Sequence, residues 1–228
     1  DMAATSVRAL KQGITALTDF TPETAKQVQE EEDKTDHLED ILGTYLVKLS
    51  TRSISADDSN EAARLLKIIG DFERIADHAV NLVHSSEELQ QKKMELSAPA
   101  LAELKVLTNA VSEILSLSLD AFLKDDLQSA VMVEPLEQVI DNLKAELRAR
   151  HTKRLQAGEC TIETGMLFFD IINSFERIAD HCSNLAVCII ELSQGSYQTH
   201  RYLKSVKSQE NARFMESFED YLRKYALH

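Results

Sequence analysis

Apolar residues recur every three to four positions through most of this chain. That is the spacing of one face of an α-helix, and no useful length of sequence alternates with the period of two that a half-buried strand needs. Read with its caps and breakers, the pattern predicts six long helices: about Ala3 to Asp19, Pro22 to Ser50, Asp57 to Gln91, Ser97/Pro99 to Lys124, Leu127 to Gln156 and Thr161 to Ser193. Thr21 before Pro22 and Asp126 before Leu127 are N-cap residues, and Gly158 and Gly195 are stops for the fifth and sixth helices. Pro135 lies inside the fifth. It lacks an N–H and its ring clashes with the preceding turn, so a kink or a split is expected there. After Gly195, Phe214, Phe218, Tyr221 and Tyr225 recur at helical spacing with Met215 and Leu222 beside them. This amphipathic helix is expected to lay its aromatic stripe on the bundle, with a partner or membrane surface as the alternative.

The heptapeptide FERIADH occurs twice, at residues 72–78 and 175–181, each time followed by Asn-Leu at Asn81-Leu82 and Asn184-Leu185. These copies lie 103 residues apart. Upstream, Glu32-x-x-x-Asp36-x-Leu38 matches Glu137-x-x-x-Asp141-x-Leu143 at an offset of 105, which also places Thr21 on Asp126. The chain is therefore a tandem repeat with a two-residue length difference in one connection. Long helices with short connections make antiparallel neighbours. The expected fold is all-α: a tandem pair of antiparallel three-helix bundles, residues 1–95 and 96–195, with an extra C-terminal helical tail over 196–228.

Helical spacing also sorts the repeated residues by face. Phe72, Ile75, Ala79 and Leu82 form an apolar stripe, while Glu73, Asp77 and Asn81 form a second row directly beside it. Glu176, Asp180 and Asn184 repeat that row. Glu32 and Asp36 share a face, as do Glu137 and Asp141. Like charges four apart cost a helix about 0.2–0.5 kcal/mol per pair, and a bound cation reverses that sign. These eight carboxylates, four per half, are the candidate metal ligands. An all-oxygen set suits hard cations such as Mg²⁺, Ca²⁺, Mn²⁺ or ferric iron. The competing reading is a set of solvated helix faces, with Arg74 and Arg177 pairing nearby carboxylates and His78 and His181 turned about 100° away from the Asp before them.

Composition narrows the function. Only 6 Gly, 3 Pro and no Trp occur in 228 residues, as suits a helical chain. A formal net charge of −13 disfavours nucleic acid as a partner and favours cations. Cys160, Cys182 and Cys188 show no CxxC spacing, which points to a reducing compartment rather than a disulfide framework. No run of about 18 apolar residues calls for a membrane span, and no signal peptide is visible. A carboxylate-bridged di-metal enzyme would use Glu-x-x-His ligation, and three residues after Glu73 and Glu176 stand Ala76 and Ala179. No Gly-rich phosphate loop or Ser/His/Asp arrangement occurs, so an enzyme is not expected. A metal-free helical adaptor is the plainest alternative.

The twin FERIADHxxNL segments, each with an upstream Glu-x-x-x-Asp, closely resemble the signature of the PhoU family. The likeness runs from about Ala3 to Ser193. Ala76 and Ala179 replace the family's usual Gly, and Thr35 stands where Ile is preferred and where Ile140 fits in the second half. The resemblance implies two three-helix bundles and multinuclear iron or zinc clusters on Glu32, Asp36, Glu73, Asp77, Glu137, Asp141, Glu176 and Asp180. It implies a regulator of phosphate transport and phosphate homeostasis at the cytoplasmic face of the cell membrane. The expected partners are a phosphate transporter's membrane domain or phosphate-signalling proteins, with a homodimer left open. The abrupt start at Asp1-Met2 and the aromatic tail are similar to the cytoplasmic PhoU-like region of a bacterial sodium/phosphate cotransporter. That is the first expectation, and a free-standing PhoU-type regulator of ABC phosphate uptake is the second.

Overall fold

A computed structural model describes residues 1–52, 54–194 and 212–227. Among them the secondary structure is entirely helical: α1 (Met2–Ala16), α2 (Pro22–Ser50), α3 (Ala56–Gln91), α4 (Ala98–Lys124), α5 (Leu127–Gln156), α6 (Ile162–Gln194) and α7 (Ala212–Lys224). The expected caps set the boundaries. The Thr21 side chain accepts from the Thr24 N–H at 3.0 Å, and Asp126 accepts from the Gln128 N–H at 2.9 Å. Each satisfies an amide that the first helical turn would otherwise leave unpaired. α5 runs through Pro135 without the expected split. Pro135 is buried in a row with Val133, Glu134 and Leu136, and that packing outweighs a proline penalty of about 3 kcal/mol. The stop expected at Gly195, and the first part of the tail, lie outside the described residues.

The chain divides into two compact units, Asp1–Glu87 and Glu88–His228. In the first, α1 packs on α2 and on α3. The Ser6 hydroxyl donates to the Phe72 carbonyl at 2.7 Å. Seven residues on, α1 comes so close that a Cβ on Gly13 would sit 2.9 Å from the Ala79 carbonyl oxygen. Only a hydrogen fits there. In the second unit α4, α5 and α6 pack pairwise. Ser118 stands 105 residues after Gly13; its hydroxyl donates to the Ile114 carbonyl of its own helix at 2.8 Å and lies 3.2 Å from the carbonyl of Cys182, the counterpart of Ala79. The two units thus close the same helix contact by different means, one by absence of a side chain and one with a small hydroxyl shared between two carbonyls.

The core follows the FERIADH stripe. Phe72, Ile75, Ala76, Ala79 and Leu82 are buried, as are Phe175, Ile178, Ala179, Cys182 and Leu185. α4 is the one helix among the described residues long and apolar enough to cross a membrane, with a mean hydropathy of 1.4 over an 18-residue window. Leu104, Leu107, Ala110, Val111, Ile114 and Leu115 are nevertheless buried, on a helix packed against α5 and α6, while Leu101 and Leu123 are exposed.

α7 lays its aromatic stripe on α5, as expected, burying Phe214 and Tyr221, with Tyr225 buried just beyond its end. The far end is tied to α4, where Lys224 Nζ pairs with Glu113 at 2.6 Å and the Tyr225 hydroxyl donates to the same carboxylate. Burial, then the Glu113 charge, pushes the Tyr221 phenol up to about 12, and burial with the Glu113 hydrogen bond raises Tyr225 as well. A raised phenol favours the docked state while it is protonated. That contribution is intact below the ordinary tyrosine range near pH 10 and is lost as pH climbs through about 12. A phenolate absorbance titration should show a late phase from Tyr221 and Tyr225, with helical signal falling in the same window. Uniform ionisation near pH 10 would contradict this docking.

Candidate metal centre

The repeated stripe fixes where the carboxylates go. With Phe72, Ile75 and Ala76 in the core, Glu73 and Asp77 emerge at the rim where α3 meets α2. Their side chains are 13% and 41% exposed. From α2, Glu32 is half-buried and Asp36 is exposed. The charges act on one another across the groove. Burial first, then Asp33, Asp36 and Asp77, hold the Glu32 carboxyl above its ordinary range. Burial also raises Glu73; Arg74 opposes the rise, and Glu39, Asp77 and Asp36 add to it. All four expected residues of the first repeat therefore share one field, and a fifth, Glu39, joins them.

The second repeat has the same scaffold and a different balance. Glu137 is buried at 7% exposure, Asp141 and Asp180 are half-buried, and the Glu176 side chain is 17% exposed. Burial, then Glu176 and Asp141, raise Asp180, while Arg177 and His181 pull the other way. Lys144 of α5 places its ammonium 2.8 Å from Glu176, with both side chains largely covered. Lys144 stands 105 residues after Glu39. At this one position the first repeat adds a negative charge and the second brings its own cation. Both residues fall three after the Asp of the Glu-x-x-x-Asp pair, so extending the repeat alignment by one helical turn finds them. Nearby, Glu134 accepts from the Ser183 hydroxyl at 2.7 Å.

Arg74 and Arg177 take the surface role expected of them. Arg74 reaches Glu73 at 3.3 Å and Asp77 at 3.8 Å; Arg177 reaches Asp180 at 3.3 Å and Glu176 at 3.9 Å. Both arginines are about 60% exposed, where such pairs contribute little. As the side chains stand, no three His, Cys, Asp or Glu among the described residues converge closely enough to hold a metal ion. The donor chemistry of the first groove nonetheless fits a hard cation: oxygen ligands, partly desolvated, and mutual repulsion among flexible side chains on two facing helices. The second groove has the oxygens, with Lys144 supplying positive charge.

The PhoU domain model matches residues 1–85 and 104–189, one copy per repeat, and the chain belongs to the PhoU family. It is similar to the phosphate-specific transport system accessory protein PhoU homolog 1 of Thermotoga maritima, 23% identical over 88% of this chain and 85% of that protein. The PhoU homolog of Pseudomonas aeruginosa is 26% identical over 89% of this chain and 83% of its own length. The crystal structure of PhoU from Pseudomonas aeruginosa superposes with a TM-score of 0.78, covering 86% of this chain and 93% of that one at 24% identity. PhoU from Streptococcus pneumoniae gives 0.71 at 17% identity, covering 86% and 92%. The likeness confirms the all-helical repeat fold. It runs to accessory proteins along most of their own length, and the cotransporter reading finds no support in it.

The raised carboxyls carry a stability consequence. A carboxyl raised in the folded state favours folding when protonated, an advantage present below its ordinary range near pH 4.5 and lost as pH rises through the raised value. At neutral pH the ionised groove therefore opposes the fold. Glu73→Gln should raise the metal-free unfolding midpoint at pH 7, by a few tenths to about 1 kcal/mol, and the gain should fade toward pH 4. Thermal melts in chelator measure this, and a destabilised Glu73→Gln at pH 7 would oppose it.

Proposed function

We propose that this chain is a regulatory accessory protein of phosphate transport, of the free-standing PhoU type. It works at the cytoplasmic face of the membrane against a phosphate transporter or its signalling partners. The observation that carries the reading is the match of both repeats to PhoU, together with relatives described as accessory proteins of phosphate-specific transport systems. The first expectation, a cotransporter domain, gives way to the second, because the relatives are accessory proteins of phosphate-specific transport systems. Deleting the gene in its host and restoring it tests the role: loss should alter phosphate uptake or its repression at high phosphate, and unchanged uptake and repression would refute it.

Within that role the carboxylate grooves are read as cation sites. Glu32, Asp36, Glu73 and Asp77, with Glu39 added, would hold iron, zinc, manganese, magnesium or calcium. Glu137, Asp141, Glu176 and Asp180 would do so once Glu176 is released from Lys144. A bound ion would cancel the repulsion and give the bundle surface a fixed positive charge able to attract phosphate or an acidic partner surface. Three residues after Glu73 and Glu176 stand Ala76 and Ala179 rather than the His of Glu-x-x-His ligation, which favours reading the groove as a binding element.

The two repeats should therefore load differently. Elemental analysis and metal-induced shifts in melting temperature should show stronger binding in the first repeat. Asp77→Ala should remove most of it, and Asp180→Ala should remove little. Lys144→Met should increase uptake by the second repeat by about tenfold or more in affinity, since it frees a carboxylate and removes a local like charge from the cation's path. Equal loss from Asp77→Ala and Asp180→Ala, with Lys144→Met silent, would refute the asymmetry. Absence of metal after incubation with each candidate ion would leave the helical adaptor.

A further inference from the structure

Away from the carboxylate grooves, the turn between α5 and α6 brings a thiol against a buried imidazole. α5 ends at Gln156, and Gly158 takes a left-handed φ of 72° that folds the chain back. Cys160 follows, immediately before Thr161, whose hydroxyl caps the start of α6 by accepting from the Thr164 N–H at 3.1 Å. The Cys160 sulfur lies 3.7 Å from His151 Nε2. His151 is 1% exposed and stacks on Phe168 with ring centres 4.5 Å apart. α6 leaves room for the ring at Gly165, where a Cβ would sit 3.1 Å from Nε2.

The neighbours of the ring decide where its proton is. Arg154 Nη2 lies 3.4 Å from Nδ1, and a guanidinium only donates, so Nδ1 accepts. Arg154 is itself held by two hydrogen bonds to Glu103 of α4, at 2.9 and 2.8 Å. Burial, then the Arg154 charge, pushes His151 below its ordinary range and keeps the ring neutral near pH 7. A neutral ring that accepts at Nδ1 carries its one proton on Nε2, the nitrogen facing sulfur. Beside the thiol a cavity of about 560 Å³ opens, lined by Met94, Leu96, Ser97, Glu159 and Thr164 among others.

We propose that Cys160 is a modification site: a thiol whose thiolate accepts from the His151 Nε2–H and exchanges with small-molecule disulfides, the added group lodging in the cavity. The thiolate attacks one sulfur of the disulfide. The old S–S bond breaks, a new Sγ–S bond forms, and the other half leaves as a thiolate that takes up the proton Cys160 released. The protein thiol is oxidised and the small disulfide reduced. The charged groups facing this corner are Glu103 of α4, Arg150 and Arg154 of α5, Glu159 in the turn, Glu163 of α6, and Lys93 and Glu95 across the cavity. Helix N-termini and adjacent donors are the settings in which thiols react fastest. Cys182 and Cys188, at 0% and 2% exposure, are internal controls.

The full chain is incubated with glutathione disulfide at neutral pH, and adducts are mapped by peptide mass spectrometry. The expected result is a mixed disulfide on Cys160 alone, formed faster than on an unstructured cysteine peptide and absent in Cys160→Ser. His151→Phe, which keeps the stack on Phe168, should slow it about tenfold or more, the worth of a hydrogen bond to a charged group. Gly165→Ala, which crowds the ring, should also slow it and serves if His151→Phe does not fold. A native Cys160 no faster than the peptide, or variants that fold and react at the native rate, would overturn the proposal.

Discussion

The burial of the FERIADH stripe is the constraint on which both units depend. Phe72 and Ile75, and Phe175 and Ile178, are at or near zero exposure. A helix has no freedom to rotate once such a stripe is packed, because a turn of 100° would exchange core for rim. Glu73, Asp77, Glu176 and Asp180 are consequently held at the groove whether or not their charges are welcome there. The apolar contacts carry the carboxylates, and two of them, Glu73 and Asp180, are raised by burial and neighbouring acids and so oppose the fold at neutral pH.

Duplication copied the scaffold, and the charge balance then diverged. Glu39 deepens the negative field of the first groove, whereas Lys144 neutralises part of the second at 2.8 Å from Glu176. Under the cation role proposed above, an ion entering the second groove would have to displace an ammonium already tethered to the chain, whereas in the first groove Glu73 and Asp77 pair with the more exposed Arg74. Two sites of the same ancestry would then respond to different concentrations of the same cation.

Much of this was legible in the sequence, for identifiable reasons. The ends of α2 and α5 could be read because Thr21-Pro22, Asp126 and Gly158 act locally. The rim position of the acid rows followed from helical spacing alone. Of the kink or split expected at Pro135, the split does not occur, because proline's cost is local while the packing around Val133 and Leu136 that offsets it is tertiary. Glu39 and Lys144 carried a signal in the repeat offset. Their opposite effects emerge only when α2 faces α3 and α5 faces α6. The pairing of Cys160 with His151 was hidden, since eight residues, a left-handed glycine among them, lie between the two and no spacing motif announces such a contact.

The contact between the first and third helices of each bundle also bears on how such repeats drift. Where α1 meets the Ala79 carbonyl, a hydrogen atom is all that fits; where α4 meets the Cys182 carbonyl, a small hydroxyl has entered. A helix seam closed on a carbonyl oxygen is therefore a chemical filter on inheritance. It favours glycine or a small polar side chain that can face the carbonyl, and works against a bulkier apolar residue however well that residue would suit a core elsewhere. That restriction arises from the backbone and is unconnected with the acid rows the seam helps to position.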